Sequence, residues 1–251
     1  MYRNRLIPAL LLHNKSLVKT INFKNFTYVG DPCNTVRIFN ELEVDELIFL
    51  DINASQENRG PNFEVLSDIS NECFMPLAYG GGIDDVETAK KIFDIGFEKV
   101  SLNTSALRNP DLITEVANIY GSQAVIVSID IRRDFFAKQK VYTNRGLKNT
   151  KLLPVDWAKE VESLGAGEIL LTSIDKEGTW SGLDLEVTNQ VVHEVNIPVI
   201  THGGVGSIDH INKALENKAL SAVAVGSMVV FQKQGMGVLV NFPKINEPLN
   251  L

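Results

Sequence analysis

At 251 residues, with 44% hydrophobic and 22% charged side chains, the chain has ordinary globular composition and suits one large α/β domain better than two small ones. A formal net charge of −7 argues against a general nucleic-acid or membrane-surface role, which calls for a basic patch. No apolar run reaches the roughly 18 residues that cross a bilayer. The start, Met1-Tyr2-Arg3-Asn4-Arg5, leads into a short apolar run with no small-residue cleavage site behind it, so the protein reads as cytoplasmic.

In chain order, short apolar runs alternate with helical periodicity. The runs are Leu6–Leu12, Glu46–Leu50, Met75–Ala78, Lys99–Leu102, Ala124–Ile129, Ile169–Thr172, Pro198–Thr201 and Ala222–Val225. They are rich in Ile, Val and Leu and mostly lack alternation, as strands buried on both faces do. Amphipathic segments lie between them, among them Asp85–Ile95, Pro110–Tyr120, Pro154–Leu164 and Ser207–Glu216. Asp84/Asp85 and Asn109 before Pro110 are helix-start signals. Eight strand–helix repeats predict a single (β/α)8 barrel over residues 1–251, in preference to an open doubly wound sheet. Residues 131–151, with Lys140–Tyr142 and Thr143-Asn144-Arg145-Gly146, break the rhythm and predict a hairpin inserted after the fifth strand. Cys33 and Cys73 are spaced neither as a metal pair nor as a redox pair and read as packed thiols. No metal-ligand cluster and no cofactor fingerprint stands out.

The two halves, about 1–122 and 123–251, echo one another. Met75-Pro76-Leu77-Ala78-Tyr79-Gly80-Gly81-Gly82-Ile83 matches Ile197-Pro198-Val199-Ile200-Thr201-His202-Gly203-Gly204-Val205, and Val100–Ser105 matches Val223–Met228. The period of about 122 residues predicts a duplicated half-barrel. Gly81-Gly82 and Gly203-Gly204 each stand between a strand and a helix, where glycine lets the backbone aim its N–H groups at an anion. Asn103-Thr104, Gly226-Ser227 and Gly178-Thr179 add donors at neighbouring strand ends. Two such sets at half-chain spacing predict two phosphate-binding turns across the barrel mouth, fitting a substrate with two phosphates or a long one.

Carboxylates also stand at strand ends, where barrel enzymes keep reactive groups. Asp130 ends the fifth strand and reads as a general acid/base; Asp51 and Asp175 read equally as loop or substrate ligands. Thr172 and His202 end the sixth and seventh strands, and His202 reads foremost as a packing or loop-bonding group, with a new acid/base group or a stacking surface as the alternatives. At the opposite ends, Arg5, Glu46, Lys99 and Glu168 precede apolar runs with alternating sign. By themselves these four read as a paired plug of the barrel floor.

With these residues in place, the chain resembles the cyclase subunit family of imidazole glycerol phosphate synthase over essentially its whole length. The matching stretches include Arg5-Leu6-Ile7-Pro8, Asp45–Ile52, Gly80-Gly81-Gly82-Ile83, Lys99–Asn103, Trp157–Glu160 and, most specific, Gly165–Asp175. The resemblance implies a glutaminase partner on the barrel bottom, ammonia passing through the barrel, and a phosphorylated substrate at the top. It also implies that Arg5, Glu46, Lys99 and Glu168 form a gate rather than a plug. Phosphate contacts then fall to Gly82, Asn103 and Thr104 on one side and to Gly178, Gly204 and Ser227 on the other, and Lys19 in the long first loop belongs to the substrate lid. One departure stands out. The family ends its first strand with a catalytic aspartate, and Leu11 occupies that position here. Ala78 and His202 also replace small hydroxyl residues expected near the substrate. The combination is similar to a divergent branch of the family in surface-polysaccharide synthesis. There a glutaminase and a separate amidotransferase-like protein help turn an acetamido group on a nucleotide-linked sugar into an acetamidino group. The alternatives are a working cyclase of histidine biosynthesis and a silent barrel that scaffolds and activates a glutaminase.

Overall fold

The computed structural model describes residues 4–243; Met1–Arg3, which open the sequence motif above, lie outside the described residues. Eight parallel strands close on themselves: β1 (Arg5–His13), β2 (Leu47–Asp51), β3 (Leu77–Gly80), β4 (Lys99–Leu102), β5 (Val125–Arg133), β6 (Glu168–Ser173), β7 (Val199–His202) and β8 (Ala222–Val225). Closure is made by β8 on β1, in register from Arg5 opposite Ala222 to Pro8 opposite Val225. This is the predicted (β/α)8 barrel. β3 starts at Leu77 rather than Met75, because Pro76 has no N–H to give the ladder. β5 runs past Ile129 because its end, Asp130–Arg133, pairs antiparallel with Gln139–Thr143.

Among the described residues, seven helices of eight or more residues pack outside: α1 (Pro32–Glu41), α2 (Phe63–Glu72), α3 (Val86–Ile95), α4 (Asp111–Tyr120), α5 (Pro154–Ser163), α6 (Leu185–Val192) and α7 (Ile208–Leu215). Side-chain caps fix several starts: Asp31 accepts from the Asn34 N–H, Asp85 from Thr88 and Ser207 from His210. Asn109 does not cap α4. Pro110 holds that position without a side-chain hydrogen bond, because Asn109 instead ends the short helix Thr104–Arg108.

Strand alternation sorts the core into two layers. Leu6, Leu10 and Leu12 of β1 face outward, into the large layer between strands and helices. Ile7 and Ala9 face inward and join Ile48, Ala78, Ile126, Leu170, Ile200, Ala222 and Ala224 inside the barrel. Four of these nine are alanines, so the axis is lined by small apolar groups at mid-height. Cys33 and Cys73 are free thiols packed partly against the outer layer.

One element was not expected. After β1 the chain forms a hairpin of Ser16–Ile21 and Lys24–Gly30, joined to β1 through Leu11 opposite Val18, where a long loop was expected. Asn14, Asn22 and Asn25 take the left-handed conformation at its turns, a role asparagine fills more readily than most residues. No helix among the described residues is long and apolar enough to cross a membrane.

Candidate functional site

At the N-terminal ends of the strands, four side chains close a ring across the barrel floor. Arg5 reaches both Glu46 (2.8 Å) and Glu168, and Lys99 reaches Glu46 (2.8 Å) and Glu168 (3.1 Å). Both glutamates are buried. The ring is shut in this conformation, so any traffic along the axis requires at least one of these contacts to break.

At the C-terminal ends the strands open into two adjoining pockets. The first is lined by Leu11, Asp51, Gly80, Gly81, Gly82, Asn103, Thr104, Asp130, Thr172, Glu177 and His202, among others. The second is lined by Glu177, Gly178, His202, Gly203, Gly204, Gly226 and Ser227, with Val205 and Ala224. Each glycine-rich turn therefore meets its own pocket, and Glu177 and His202 face both. Gly82 has φ +67°, and a Cβ there would lie 2.4 Å from the Arg59 carbonyl oxygen; Gly204 has φ +103°, with a Cβ 2.2 Å from the Gly182 carbonyl oxygen. No other residue type fits either position without moving the facing loop.

Asp130 ends the inward face of β5. Its carboxylate accepts a hydrogen bond from Asn103 Nδ2 (3.1 Å), and Asn103 also donates to the Ser128 carbonyl (2.9 Å). Burial pushes the Asp130 carboxyl up to about 7, against the opposing pull of the Asn103 bond. It therefore exchanges a proton near neutrality. Leu11 lines the same pocket and brings no acid–base group to it. His202 is buried, with Nδ1 3.2 Å from Thr172 Oγ1. Burial, assisted by the nearby Lys19 charge, holds the imidazole down to about 3, so it is neutral at ordinary pH.

Other expected residues sit differently. Lys19 is not in an irregular loop: it lies in the Ser16–Ile21 strand, buried, with its ammonium on the Ala9 carbonyl. Burial lowers it to about 8, Glu177 opposing. Asp51 is committed to its own loop, accepting from the Asn53 and Ala54 N–H groups and bidentately from Arg59 at 2.7 and 3.0 Å. Asp175 and Thr179 line neither pocket. Asp175 accepts from the Arg133 N–H (2.9 Å) and so docks the β5 extension, while Thr179 Oγ1 donates to the Lys176 carbonyl (2.7 Å). Glu177 was not expected in the site. It is a buried carboxylate accepting from the Phe23 N–H (3.0 Å), and its place among the strand-six donors was a signal for it. Thr20, Arg145 and Arg59 were not expected either: the segments after β1 and β5 bring the first two to the pocket, while Arg59 pairs with Asp51 eight residues before it.

A closed barrel with its polar groups at the C-terminal strand ends defines an enzyme-type (β/α)8 architecture. The chain belongs to the histidine biosynthesis protein family, which matches residues 5–234. Its relatives are named as imidazole glycerol phosphate synthase subunits. It is 47% identical to a Pseudomonas aeruginosa protein provisionally named subunit hisF2, with 98% of each chain covered. It is 42% identical to a Vibrio vulnificus protein provisionally named subunit hisF3, covering 98% of this chain and 95% of that one. It is 44% identical to the subunit HisF of Alkaliphilus metalliredigens over 89% of each.

Proposed function

We propose that this chain is the barrel subunit of a glutamine-dependent amidotransferase complex. A glutaminase docks on the N-terminal face, and ammonia passes the charged ring and the alanine-lined axis to a phosphorylated substrate at the mouth. Three observations support the two ends of this route. Leu42, Phe74 and Ile119 are exposed apolar side chains at the end of α1, just after α2 and near the end of α4, beside the barrel floor. Both glycine turns are open to pockets, and further polar groups line each pocket beside them, Asn103 and Thr104 in the first and Ser227 in the second.

The substrate we favour is a nucleotide-linked sugar of surface-polysaccharide synthesis whose acetamido group becomes acetamidino. The ammonia nitrogen replaces the acetamido oxygen, which leaves as water, with a separate amidotransferase-like protein taking part. The observation that carries this reading is Leu11 in one pocket with Asp130. Closing an imidazole ring by paired acid–base catalysis needs two proton-handling groups, and leucine supplies none. A lone carboxyl near 7 still suits a single proton transfer, from an incoming nitrogen or to a departing oxygen. The second reading is a cyclase of histidine biosynthesis, favoured by the relatives' names and by the intact Asp130, Asn103 and Gly82.

The purified protein, given ammonium and the histidine-pathway substrate, separates the two. We expect turnover about 10²–10⁴ below that of an ordinary cyclase, the usual value of one positioned acid–base group, and a gain of about tenfold or more in Leu11→Asp. A wild-type rate within about tenfold of an ordinary cyclase would sink the polysaccharide reading.

A further inference from the structure

Among the described residues that line the first pocket, Arg145 carries the one fixed positive charge. It sits in the turn between Gln139–Thr143 and Lys148–Asn149, in the segment that follows β5, and the Asn144 N–H donates to Thr104 Oγ1 (3.2 Å), which pins that turn to the one holding Asn103 and Thr104. One arm of the guanidinium is spoken for, donating from Nη1 to Asn53 Oδ1 (2.6 Å), and its Cζ lies 5.0 Å from the centre of the Phe26 ring. Its Nε is buried and has no hydrogen-bond partner. Thr20, from the other hairpin, lines the same pocket, is 3% exposed, and likewise has a buried hydroxyl without a partner. Buried donors without acceptors are costly, and natural proteins leave few of them.

The pocket also contains carboxylates. Asp51 is offset by Arg59, but Asp130 and Glu177 oppose any anion that enters. A phosphate is held there only if a cation is brought to it, and the guanidinium fork matches phosphate oxygens. We propose that Arg145 Nε and Thr20 Oγ1, one from each hairpin, are ligands of a phosphate group seated beside Gly82 and Thr104 in the first pocket. This rests on the reading above that the Gly81–Gly82 and Asn103–Thr104 turns receive phosphate, and adds the two side chains that complete the site.

The test is titration with inorganic phosphate, followed by the amide shifts of Gly82 and Asn103, with Gly204 and Ser227 reporting the second pocket. Arg145→Gln should weaken binding at Gly82 about ten- to hundredfold, as losing a charge-assisted hydrogen bond does, and leave Gly204 unmoved. Arg145→Lys should recover part of the loss. Thr20→Val, which breaks no bond of the free protein and so keeps the fold, should cost about fivefold. Asn53→Ala removes the tie that Arg145 makes within the protein but not its charge, and should leave phosphate affinity within about twofold. Equal affinity at Gly82 in wild type, Arg145→Gln and Thr20→Val overturns the inference and leaves the phosphate turns standing. A loss in Asn53→Ala as large as in Arg145→Gln makes Arg145 a strap and overturns it too. If wild type shows no titration at Gly82 or Gly204, the phosphate reading itself falls, and this inference with it.

Discussion

Two side chains at the mouth are driven by burial in opposite senses, and the consequence is measurable. Asp130 is raised from 3.8 to about 7, so the stability it contributes is complete below pH about 4 and is lost as pH rises to about 7. His202 is lowered from 6.5 to about 3, so its contribution is complete above pH about 6.5 and is lost as pH falls toward 3. Between pH 4 and 6.5 the two slopes oppose and largely cancel. Lys19, lowered to about 8, titrates above this window. His202→Gln should therefore unmask a fall in stability from pH 4 to 7, and Asp130→Asn a rise from pH 4 to 6.5. Each should amount to no more than about 3 kcal/mol, at about 1.4 kcal/mol for every tenfold change in proton affinity, and less for Asp130, which keeps some contact with solvent. Denaturant midpoints across that range check it; parallel profiles in wild type and both variants would refute the opposition. At this scale the sequence announced Asp130, the glycines and the ring, because their type and strand position carry the signal. It did not single out Glu177 or Arg59, though each stands near strand-end groups that it did mark, nor Thr20 and Arg145, which the segments after β1 and β5 bring to the pocket from far along the chain.

Elements were legible where burial imposes a pattern. Strands covered on both faces read as continuous apolar runs, and β4 and β8 were placed at their observed limits. The Ser16–Gly30 hairpin was not legible, because its second strand is largely exposed and has no apolar face to betray it. Asn22 ties that hairpin to the loop after β6. Its Nδ2 donates to the Ile174 and Asp175 carbonyls (2.9 Å each), and its N–H donates to the Glu177 carbonyl (2.9 Å). Asn22→Ala deletes the two side-chain bonds and places alanine at φ +53°. We expect amide exchange to speed up by about tenfold or more across 16–30 and 174–178, from local opening made easier by roughly 1.5–3 kcal/mol, with α3 and α4 unaffected. Protection unchanged in those two segments would show that the hairpin is held by other contacts.

For the whole molecule, the floor ring poses the question of what it is for. Breaking a buried ion pair by removing one partner strands the other charge, whereas replacing the entire set with apolar residues is often neutral. Arg5→Leu should thus cost about 3 kcal/mol, since Glu46 and Glu168 are left to share Lys99. The fourfold change Arg5→Leu, Glu46→Met, Lys99→Leu, Glu168→Met should unfold within about 1 kcal/mol of wild type. Thermal and denaturant unfolding of the pair decide it. A fourfold variant as unstable as Arg5→Leu would make the ring a structural plug after all. Near-native stability would mean that its charges are retained for something other than holding the barrel shut.

The hairpin after β1 and the segment after β5 start half a turn apart around the barrel, and the Asn144–Gly146 turn of the second meets the first. Arg145 lies on the Phe26 ring, and a Cβ on Gly146 would come within 3.5 Å of Phe23. Together they form a footbridge, and Phe23 and Arg145 from its two sides line the pocket that holds Gly82. A ligand held at Gly82, on the reading proposed above, lies behind that span like a belt under its loop. Its escape then follows how often the bridge lifts rather than how tightly either end is held, and loosening a bridge contact should shorten residence time more than it weakens grip.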